Sequence, residues 1–431
     1  MKVAIIGAGW SGSAAALLLA RQNHQVTVFE ASRTLGGRAR AALEHQGQPL
    51  DNGQHILIGA YTETLKLMQS VGVDLQACLY AMPLTLQFPD GAGLRLPKLP
   101  PPLDAAVGIA LARGWTLRDK LSLLRAATSW RRAGFVCPAP TTVAALCRGI
   151  SGRVMAELLE PLCVSALNTP AASASGQVFL RVLKDSLFAP ATALGPGSTL
   201  LLPRVDLSAL FPQPALHEAQ RLGADLRLGA RVQQLGAPDS TDAAWHIDGE
   251  AFDSVVLACP ATEAARLVAA SGVNPAWVAT ADALQYEAIT TVYAQSPGTR
   301  LPLPMLALRS TETAPAQFVF DRGQLGGPAG MLAFVVSASH GDRAHLEQQV
   351  VQQGRTQLGL KELDAVQTIV EKRATFACSP DLARPSMQIA PGLLACGDYV
   401  DGPYPATLEG AVRSGLACVA EFGGGSGSGK T

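Results

Sequence analysis

KVAIIGAGWSGSAAALLLARQNHQVTVFE, residues 2–30, decides the fold because short apolar runs alternate with a glycine-rich turn in this stretch. Residues 2–6 are apolar and rich in β-branched side chains, which is typical of a buried parallel strand. Residues 13–22 are rich in Ala and Leu and predict a helix. Residues 26–29 predict a second strand that ends on Glu30. The order of strand, turn, helix and strand is typical of a doubly wound α/β domain.

Three glycines fill the turn between the first strand and the helix. Gly7, Gly9 and Gly12 have the spacing G-x-G-x-x-G. In dinucleotide-binding units the first glycine makes the tight turn, the second lets the backbone approach the pyrophosphate, and the third lets helix and strand pack closely. The helix N-terminus offers N–H groups to the phosphates, and Glu30 would accept a hydrogen bond from a ribose hydroxyl. We therefore predict a dinucleotide site for an adenosine without a 2′-phosphate.

Two other interpretations compete for this N-terminal stretch. Residues 3–20 carry no charge, so a signal peptide or a membrane anchor is one alternative. An ordinary buried strand and helix without a ligand is the other. The glycine spacing, its place directly after a strand and the acidic end of the second strand together favour the dinucleotide site.

The composition excludes several classes of protein. Lys plus Arg and Asp plus Glu each number 34, so the net charge is zero, which argues against nucleic-acid binding through global charge. Charged residues make up only 16% and apolar residues 48%, so the surface has room for an apolar partner or ligand. The 8 Cys contain no C-x-x-C pair and the 7 His form no metal-binding pattern. We therefore expect no metal site and a reducing, cytoplasmic location.

The last residues imitate a nucleotide motif. Residues 424–431, GGSGSGKT, satisfy the P-loop pattern G-x-x-x-x-G-K-T. A P-loop needs a strand before it and a helix after it, and the sequence stops at Thr431. We interpret residues 423–431 as a flexible Gly/Ser tail. No second strand–glycine–helix unit follows the first, so we expect no separate nicotinamide domain, and the reducing equivalents would come through the open face of the bound cofactor or from an external donor.

The segment after Glu30 indicates which dinucleotide is bound. Gly36 and Gly37 predict a turn whose N–H groups face an anion, and Arg38 and Arg40 add positive charge. A solvated basic loop is the alternative. This G-G-R run resembles that of the flavin-containing amine oxidase and phytoene desaturase superfamily. The resemblance implies contact with the pyrophosphate and ribityl chain of FAD.

The resemblance covers both ends of the chain. Residues 50–55 match the superfamily's strand that reaches the flavin ring, and residues 392–398 match a strand that ends on a Gly-Asp pair. A helix predicted from Thr407 to about Phe422 would direct its positive N-terminus at the flavin N1/O2 edge. Residues 229–232 resemble the stretch whose Val lends backbone atoms to adenine. The resemblance assigns to FAD the residues Gly7, Gly9, Ser11, Gly12, Glu30, Gly36, Gly37, Arg38, Gly53, Val232, Gly397, Asp398, Ala406, Thr407 and Leu408.

The middle of the chain narrows the resemblance to one family. Residues 160–170, EPLCVSALNTP, together with residues 195–203 and 371–376, resemble the squalene-associated FAD-dependent desaturases, which are described as hydroxysqualene dehydroxylases. The resemblance implies an FAD-dependent oxidoreductase of squalene and hopanoid synthesis that replaces the hydroxyl of a C30 isoprenoid, hydroxysqualene, with hydrogen. Because that hydroxyl is allylic, its departure leaves a delocalised cation that a hydride from reduced flavin N5 would quench.

Two other functions stay open at this point. One is an oxidative reaction, as in carotenoid-type desaturases or amine oxidases. Some amine oxidases attach their flavin through a Cys, and Cys378 lies in about that region but lacks the accompanying Gly-Cys-Tyr context. The other is a non-catalytic flavoprotein scaffold for squalene-synthesising enzymes.

Candidates for the proton donor are few. Asp401 and Tyr404 lie between the Gly-Asp pair and the predicted flavin helix, so they are predicted to border the ring. Shaping of that loop is their alternative role. His55 follows the flavin-facing strand and is a candidate for proton transfer, with a merely packed imidazole as the alternative.

The pattern of apolar runs predicts an α/β fold, with a Rossmann-like, discontinuous FAD-binding domain of the GR2 type and an inserted α+β substrate domain. Strands are predicted at residues 224–228, 231–235, 245–247 and 255–258 for the first domain, and at 286–294, 305–308, 317–320 and 331–337 for the second, with a hairpin at 84–96. The predicted FAD-binding parts are residues 1–80, 206–268 and 379–422. The predicted substrate parts are residues 81–205, mostly helical, and 269–378, a mixed sheet.

A basic, apolar segment stands out in the helical part. Residues 98–132 carry seven Lys or Arg against two Asp, and Leu and Trp side chains lie between the charges. This pattern favours amphipathic helices that lie on the anionic inner face of a membrane, where upstream squalene-pathway synthases would be partners. A helical cap over the substrate cavity with a solvated basic face is the alternative. No stretch predicts a spanning helix, so the expected attachment is peripheral.

Overall fold

The computed structural model describes residues 1–45, 47–189, 191–239 and 243–423, which fold into strands and helices. The strands are β1 (Lys2–Ile6), β2 (Gln25–Glu30), β3 (Ala41–His45), β4 (Gln48–Asp51), β5 (Leu57–Ile58), β6 (Leu79–Met82), β7 (Thr85–Gln87), β8 (Gly93–Arg95), β9 (Leu200–Pro203), β10 (Asp225–Leu228), β11 (Leu235–Gly236), β12 (Trp245–Ile247), β13 (Glu250–Phe252), β14 (Ser254–Leu257), β15 (Tyr286–Gln295), β16 (Met305–Ala307), β17 (Phe318–Asp321), β18 (Met331–Ser337), β19 (Asp364–Phe376), β20 (Gln388–Ala390) and β21 (Leu393–Ala395). The α-helices are α1 (Trp10–Arg21), α2 (Thr62–Ser70), α3 (Leu75–Cys78), α4 (Leu103–Leu111), α5 (Leu117–Arg132), α6 (Val143–Leu146), α7 (Gly152–Val154), α8 (Glu160–Leu167), α9 (Gly176–Phe188), α10 (Leu207–Leu210), α11 (Pro212–Arg221), α12 (Ala261–Ser271), α13 (Pro275–Asp282), α14 (Arg343–Leu358) and α15 (Leu408–Gly423). The P-loop-like tail at residues 424–431 lies outside the described residues.

A six-stranded sheet brings the two ends of the chain together. Its order is β10-β2-β1-β14-β21-β20, and each neighbouring pair is parallel except β20 with β21. The central strand β1 therefore lies between an early strand and a strand from the second half of the chain. Parallel strands need crossover connections, so helices cover the faces of such a sheet. This arrangement confirms the predicted Rossmann-like fold.

The first and last helices pack directly against each other on this sheet. Ala15 and Leu19 of α1 are fully buried in one apolar cluster with Cys418 of α15. A Cβ added at Gly415 would stand 2.6 Å from the carbonyl oxygen of Ser11. Only glycine allows this approach, and it fixes the C-terminal helix beside the N-terminal glycine turn.

Three predicted elements have other bounds in the structure. Helix α1 begins at Trp10 rather than at residue 13, so the third glycine of the motif lies inside the helix. The strand predicted at residues 231–235 is wrong for residues 231–234, because the N–H groups of Gln233 and Gln234 donate to the carboxylate of Asp248 instead of to a neighbouring strand. The strand expected at residues 50–55 ends with β4 at Asp51.

A five-stranded antiparallel sheet forms the second half of the fold. Its order is β16-β17-β18-β15-β19, and the four strands predicted between residues 286 and 337 are all present. Strand β19, which the sequence did not predict, completes it. One face packs on α14 through an apolar cluster that includes Val292, Phe334 and Val350. The other face points toward the six-stranded sheet and forms a wall of the cavity described below.

Helices α4 to α9 form a cap beside the second sheet. A π-helical turn, Met155–Leu159, interrupts the path from α7 to α8. Pro161 follows it and has no N–H, so the carbonyl of Glu157 four residues earlier lacks its regular α-helical partner. A wider turn is the physical response to that missing bond.

A small sheet crosses the predicted domain boundaries. Strand β9 pairs with both β5 and β6, and the boundary predicted between residues 80 and 81 falls inside β6. The boundaries therefore stay predictions. Within the described ranges, no helix has the length and apolar character needed to cross a bilayer.

Candidate cofactor and active site

A cavity of about 700 Å³ lies between the six-stranded sheet and the five-stranded sheet. Every residue that the sequence assigned to FAD lines this cavity except Gly12, which lies beneath its wall. The lining residues of that set are Gly7, Gly9, Ser11, Glu30, Gly36, Gly37, Arg38, Gly53, Val232, Gly397, Asp398, Ala406, Thr407 and Leu408. The fold thus brings together side chains from the beginning, middle and end of the chain.

The glycine turn opens a passage along one wall. Gly7 has φ +111°, and a Cβ there would stand 2.7 Å from the carbonyl oxygen of Ala258. A Cβ at Gly12 would stand 2.0 Å from the carbonyl oxygen of Gly7, so this position also requires glycine. Gly9 differs, since a Cβ there would meet only the Cα of Gly37, at 3.8 Å. Gly9 and Gly37 pack against each other in the cavity wall, and because neither has a side chain, this glycine pair leaves its backbone open to the approach of a pyrophosphate.

The N-terminus of α1 and the end of β2 border the same passage. Gly9 caps α1 without any side-chain hydrogen bond. The first turn of the helix therefore presents backbone N–H groups and a positive dipole end to an anion. The carboxylate of Glu30 accepts from the N–H groups of Ala8 and Ser32, both at 2.7 Å. Each carboxylate oxygen has a second lone pair, so Glu30 can also accept from a ribose hydroxyl.

The predicted G-G-R and Gly-Asp motifs meet in a direct ion pair. The guanidinium of Arg38 donates to the carboxylate of Asp398 through Nη2 and to the carbonyl of Ala374 through Nη1, the latter at 2.8 Å. Strand β19 and the loop after β21 are thereby tied to the G-G-R turn. A charge-assisted contact of this kind fixes the position of both motifs at the centre of the cavity.

A second helix begins at the cavity wall. Thr407 caps α15, because its hydroxyl accepts from the N–H of Gly410 at 3.0 Å and donates to the carbonyl of Tyr404 at 2.8 Å. Ala406, which precedes it, has φ +58°. The positive end of α15 therefore faces the cavity, as the predicted contact with the flavin N1/O2 edge requires.

The remaining part of the cavity is apolar. Its side chains come mainly from the five-stranded sheet, and Ser165 and Asn168 of the helical cap add a few polar atoms. The apolar lining residues of this part are Ile56, Ile289, Phe318, Phe320, Val335 and Phe376. One cavity thus combines a polar half, suited to a dinucleotide, with a water-excluding half suited to a hydrocarbon.

Two predicted proton donors lie elsewhere. In the described part of the chain, neither Asp401 nor Tyr404 belongs to the cavity wall. Asp401 is exposed and pairs with Arg384 at 3.1 Å. The ring of Tyr404 lies between the guanidinium groups of Arg181 and Arg413, at 5.6 and 5.1 Å, and burial raises the pKa of its phenol to about 12. Both side chains shape the loop, so the prediction that they border the ring finds no support in this geometry.

His55 lines the cavity, but as a neutral imidazole. Its Nδ1 lies 2.8 Å from the carbonyl oxygen of Gly53, and since a carbonyl only accepts, Nδ1 carries the proton. Burial lowers the pKa of His55, and the positive charge of Arg38 acts in the same direction. At neutral pH His55 therefore presents Nε2 as an acceptor, and it is a poor reservoir for the proton that the sequence-based hypothesis gave it.

The comparison with known families decides the assignment. The model of the flavin containing amine oxidoreductases matches residues 10–421. The chain belongs to this family. FAD is its cofactor, and the glycine pair, the two helix N-termini and Glu30 provide a site that fits it.

Full-length relatives of this flavin-containing amine oxidoreductase include two named enzymes. A hydroxysqualene dehydroxylase of Rhodopseudomonas palustris is 30% identical, over 96% of this chain and 96% of that one. Another from Sinorhizobium fredii is 25% identical, again over 96% of each chain. The crystal structure of an oxidoreductase from Methanosarcina mazei has a TM-score of 0.75 at 16% identity and covers 97% of this chain and 100% of its own. That structure shows a shared fold.

Sequence reasoning missed how one residue holds the cavity together. Asn168 ends α8 with φ +46° and is 3% exposed. Its Nδ2 donates to the carbonyl of Glu287 and to Oγ1 of Thr375, and its Oδ1 accepts from the N–H of Ala338 at 2.6 Å. It therefore joins the helical cap to the five-stranded sheet. Its position in EPLCVSALNTP, residues 160–170, could have indicated this role, but that segment indicated only the family resemblance.

A buried acid behind the cavity makes the stability of the protein depend on pH. Asp51 is 4% exposed, and its Oδ1 accepts from the N–H of Leu207 at 2.9 Å. Burial raises its pKa to about 7. Because the folded pKa lies above the unfolded value, the stability that Asp51 contributes is present at low pH and is lost as the pH rises from about 4 through 7.

We expect Asp51→Asn to be more stable than the wild type at pH 8, by at most about 4 kcal/mol, and to show a smaller loss of stability between pH 5 and 8. Asn keeps an oxygen that accepts from Leu207, so only the charge is removed. Urea unfolding at the two pH values measures the effect, with Asp364→Asn as an exposed control. Parallel pH dependences for Asp51→Asn and wild type would show that this carboxyl does not titrate in the window.

Proposed function

We propose that this chain is an FAD-dependent hydroxysqualene dehydroxylase that reduces hydroxysqualene to squalene. The observation that carries the proposal is the single cavity in which the cofactor half continues into a wall of apolar side chains. Full-length similarity to two hydroxysqualene dehydroxylases supports the same substrate. A C30 hydrocarbon with one hydroxyl matches an apolar wall with few polar groups.

The residues of the chain bind, orient and exclude water. The glycine pair, the α1 N-terminus and Glu30 would hold the adenosine and pyrophosphate, Arg38 and Asp398 fix the centre of the cavity, and the α15 N-terminus would lie toward the flavin ring. Phe318, Phe320 and the other apolar residues of the sheet keep water from the allylic carbon once the hydroxyl leaves. When bound, reduced FAD supplies the hydride that takes the place of the hydroxyl.

An anaerobic reoxidation assay tests this function. The purified protein is reduced without oxygen, hydroxysqualene is added, and flavin absorbance is followed together with squalene formation. We expect reoxidation coupled to squalene. Oxidation of phytoene or an amine by the oxidised protein, without any reaction of hydroxysqualene, would establish the oxidative alternative. No reaction with any of them would leave the scaffold as the function.

The domain division belongs to the same proposal. Residues 1–80, 206–268 and 379–422 form the FAD-binding domain, and residues 81–205 and 269–378 form the substrate domain. The six-stranded sheet draws all its strands from the first set, and the five-stranded sheet draws all of its strands from the second. Both observations support this division, while β9 links the two sets.

The outer surface of α4 and α5 supports peripheral contact with a membrane. Leu103, Leu111 and Leu117 are 58, 68 and 73% exposed, and Leu121 and Leu124 are exposed as well. Exposed cations of α5 lie among these leucines. The three nearest the C-terminus of α5 are Arg125, Arg131 and Arg132. Apolar side chains surrounded by cations are the pattern by which helices lie on anionic lipid. Contact of this surface with the bilayer would give the cavity access to an apolar substrate that resides there. Squalene-pathway synthases on the same membrane are its proposed partners.

We expect simultaneous charge reversal, Arg125→Glu, Arg131→Glu and Arg132→Glu, to reduce binding to anionic vesicles by at least tenfold, since each cation contributes about 1 kcal/mol near such a surface. Co-sedimentation with phosphatidylserine vesicles measures it. The control reverses three exposed cations on other elements, Arg221, Arg343 and Lys361. Equal binding of both triple variants would disprove a role for α5.

A further inference from the structure

Four carboxyl side chains of the described residues line the cavity, and three of them are either held in an ion pair or assigned to the ribose. The four are Glu30, Glu263, Glu371 and Asp398. Glu30 accepts from two backbone N–H groups, and Asp398 pairs with Arg38. Glu263 pairs with Arg266 at 2.7 Å. Glu371, by contrast, forms no ion pair with any described residue.

The contacts of Glu371 leave its carboxyl able to meet a ligand. Its Oε2 accepts from Nδ2 of Asn52 at 2.9 Å, and its Oε1 accepts from the N–H of Arg373 at 3.3 Å. A carboxylate has about four lone-pair directions, so two of them remain for other donors. Asn52 also lines the cavity and precedes Gly53, so the carboxyl stands beside the segment assigned to the flavin ring.

The sheet places Glu371 where the two halves of the cavity meet. Glu371 of β19 is the register partner of Ile289 on β15, which in turn is the partner of Ser337 on β18. All three residues line the cavity, so they form one row across the sheet. The next row on the same face contains Val335 and Phe318 of the apolar wall. A hydroxyl in the middle of a long hydrocarbon belongs at such a boundary.

The reaction needs an acid at that boundary, because hydroxide is a poor leaving group. We propose that Glu371 is the general acid that protonates the departing hydroxyl, an inference that rests on the proposed function. The carboxylic proton passes to the hydroxyl oxygen, the C–O bond breaks with its electron pair, and water leaves. The allylic carbon then accepts the hydride that the reduced cofactor supplies, so substrate, proton and hydride give squalene and water. Glu371 remains as a carboxylate facing the cationic carbon, which stabilises that charge.

Other titratable groups of the described cavity wall suit this role less well. His55 is neutral and already donates its one ring proton to Gly53. Burial raises the pKa of Tyr286, and it does the same for Tyr61, Tyr399 and Cys259, so these groups are weaker acids than in water. Arg38 and Arg373 hold their protons too tightly to release them.

Substitution by glutamine separates the acid from the hydrogen bonds. In Glu371→Gln the side-chain oxygen still accepts from Asn52 and only the 3.3 Å contact from the N–H of Arg373 is lost, so FAD content and melting temperature should stay close to those of the wild type. We expect squalene formation from hydroxysqualene to fall 10²- to 10⁴-fold. Glu371→Asp, which retains an acid, should lose less. Asp364→Asn is the matched control, since it lies on the same strand, is 84% exposed in its side chain and should keep full activity.

A better leaving group distinguishes acid catalysis from a structural role. Acetate departs without prior protonation, so Glu371→Gln should convert the acetate ester of hydroxysqualene to squalene within about threefold of the wild-type rate. Equal slowing of alcohol and ester would overturn the proposal, and so would an unchanged rate with the alcohol. If the wild type forms no squalene from hydroxysqualene, the proposed function itself fails and the inference fails with it.

Binding provides a readout that does not depend on turnover. An amine analogue, in which an ammonium nitrogen replaces the carbon that bears the hydroxyl, imitates the positive charge of the reaction. Titration calorimetry on the FAD-loaded protein should show at least tenfold weaker binding of this analogue to Glu371→Gln than to the wild type. Equal affinity would show that Glu371 does not face the reacting carbon.

Discussion

Gly9→Trp is expected to give a folded protein that purifies without FAD. The Cβ position of Gly9 contacts only the Cα of Gly37, at 3.8 Å, so the substitution meets no backbone obstacle. Gly9 has φ −73°, which every residue tolerates. The indole would instead cover the backbone of the glycine pair in the cavity wall, which the pyrophosphate has to approach. We therefore expect at least a hundredfold weaker FAD binding with little change in stability.

The measurement is the ratio of absorbance near 450 nm to that at 280 nm, together with reconstitution by added FAD. Gly152→Trp is the matched control, because Gly152 has open space around its Cβ position and lies on α7, away from the cavity wall. That variant should retain its full yellow colour. A fully yellow Gly9→Trp protein would show that the dinucleotide does not approach the backbone at Gly9 and Gly37.

Glu409→Ala is expected to lower the free energy of unfolding by about 3–5 kcal/mol, since it breaks a buried, hydrogen-bonded ion pair. Glu409 is fully buried in α15, and its Oε1 lies 2.7 Å from Nε of Arg413. The same carboxylate accepts from the N–H groups of Glu63 and Thr64 and from the Thr64 hydroxyl. It therefore caps α2 and fixes the helix whose N-terminus faces the cavity.

Urea unfolding followed by circular dichroism measures this loss. Glu421→Ala, an exposed acid on the same helix, is the control and should change stability by less than about 0.5 kcal/mol. A loss below about 1 kcal/mol for Glu409→Ala would show that neighbouring side chains or water replace the carboxylate. FAD content should fall together with stability, because the helix loses its anchor on α2.

Local motifs made the cofactor half of the cavity predictable. Gly7, Gly12 and Glu30 act within one strand–helix–strand unit, so their geometry follows from spacing alone. The Gly-Asp pair was predictable from the resemblance. That Asp398 pairs with Arg38 is a tertiary fact, which no local pattern contains.

The residues of the catalytic half could not be predicted, because tertiary contacts decide which of them reach the cavity. Asp401 is near the flavin loop in sequence, yet Arg384 holds it at the exposed side of that loop. Glu371 is remote from every cofactor motif in sequence, and only the pairing of β19 with β15 brings it to the cavity. Strand β19 itself escaped prediction because polar residues interrupt its apolar pattern. Distance along the chain was a poor guide to distance from the site.

The order of the six-stranded sheet has a consequence for biosynthesis. Strand β1 gains its second neighbour only when residues 254–257 have been translated, and β14 gains its own at residues 393–395. At typical elongation rates, roughly 20–80 s separate the emergence of the first strand from that of the last. During that time the nascent polypeptide carries an open apolar strand edge on the ribosome. Such a topology requires that chaperones protect this edge. It also requires that the vitamin-derived coenzyme is loaded only after the chain is released.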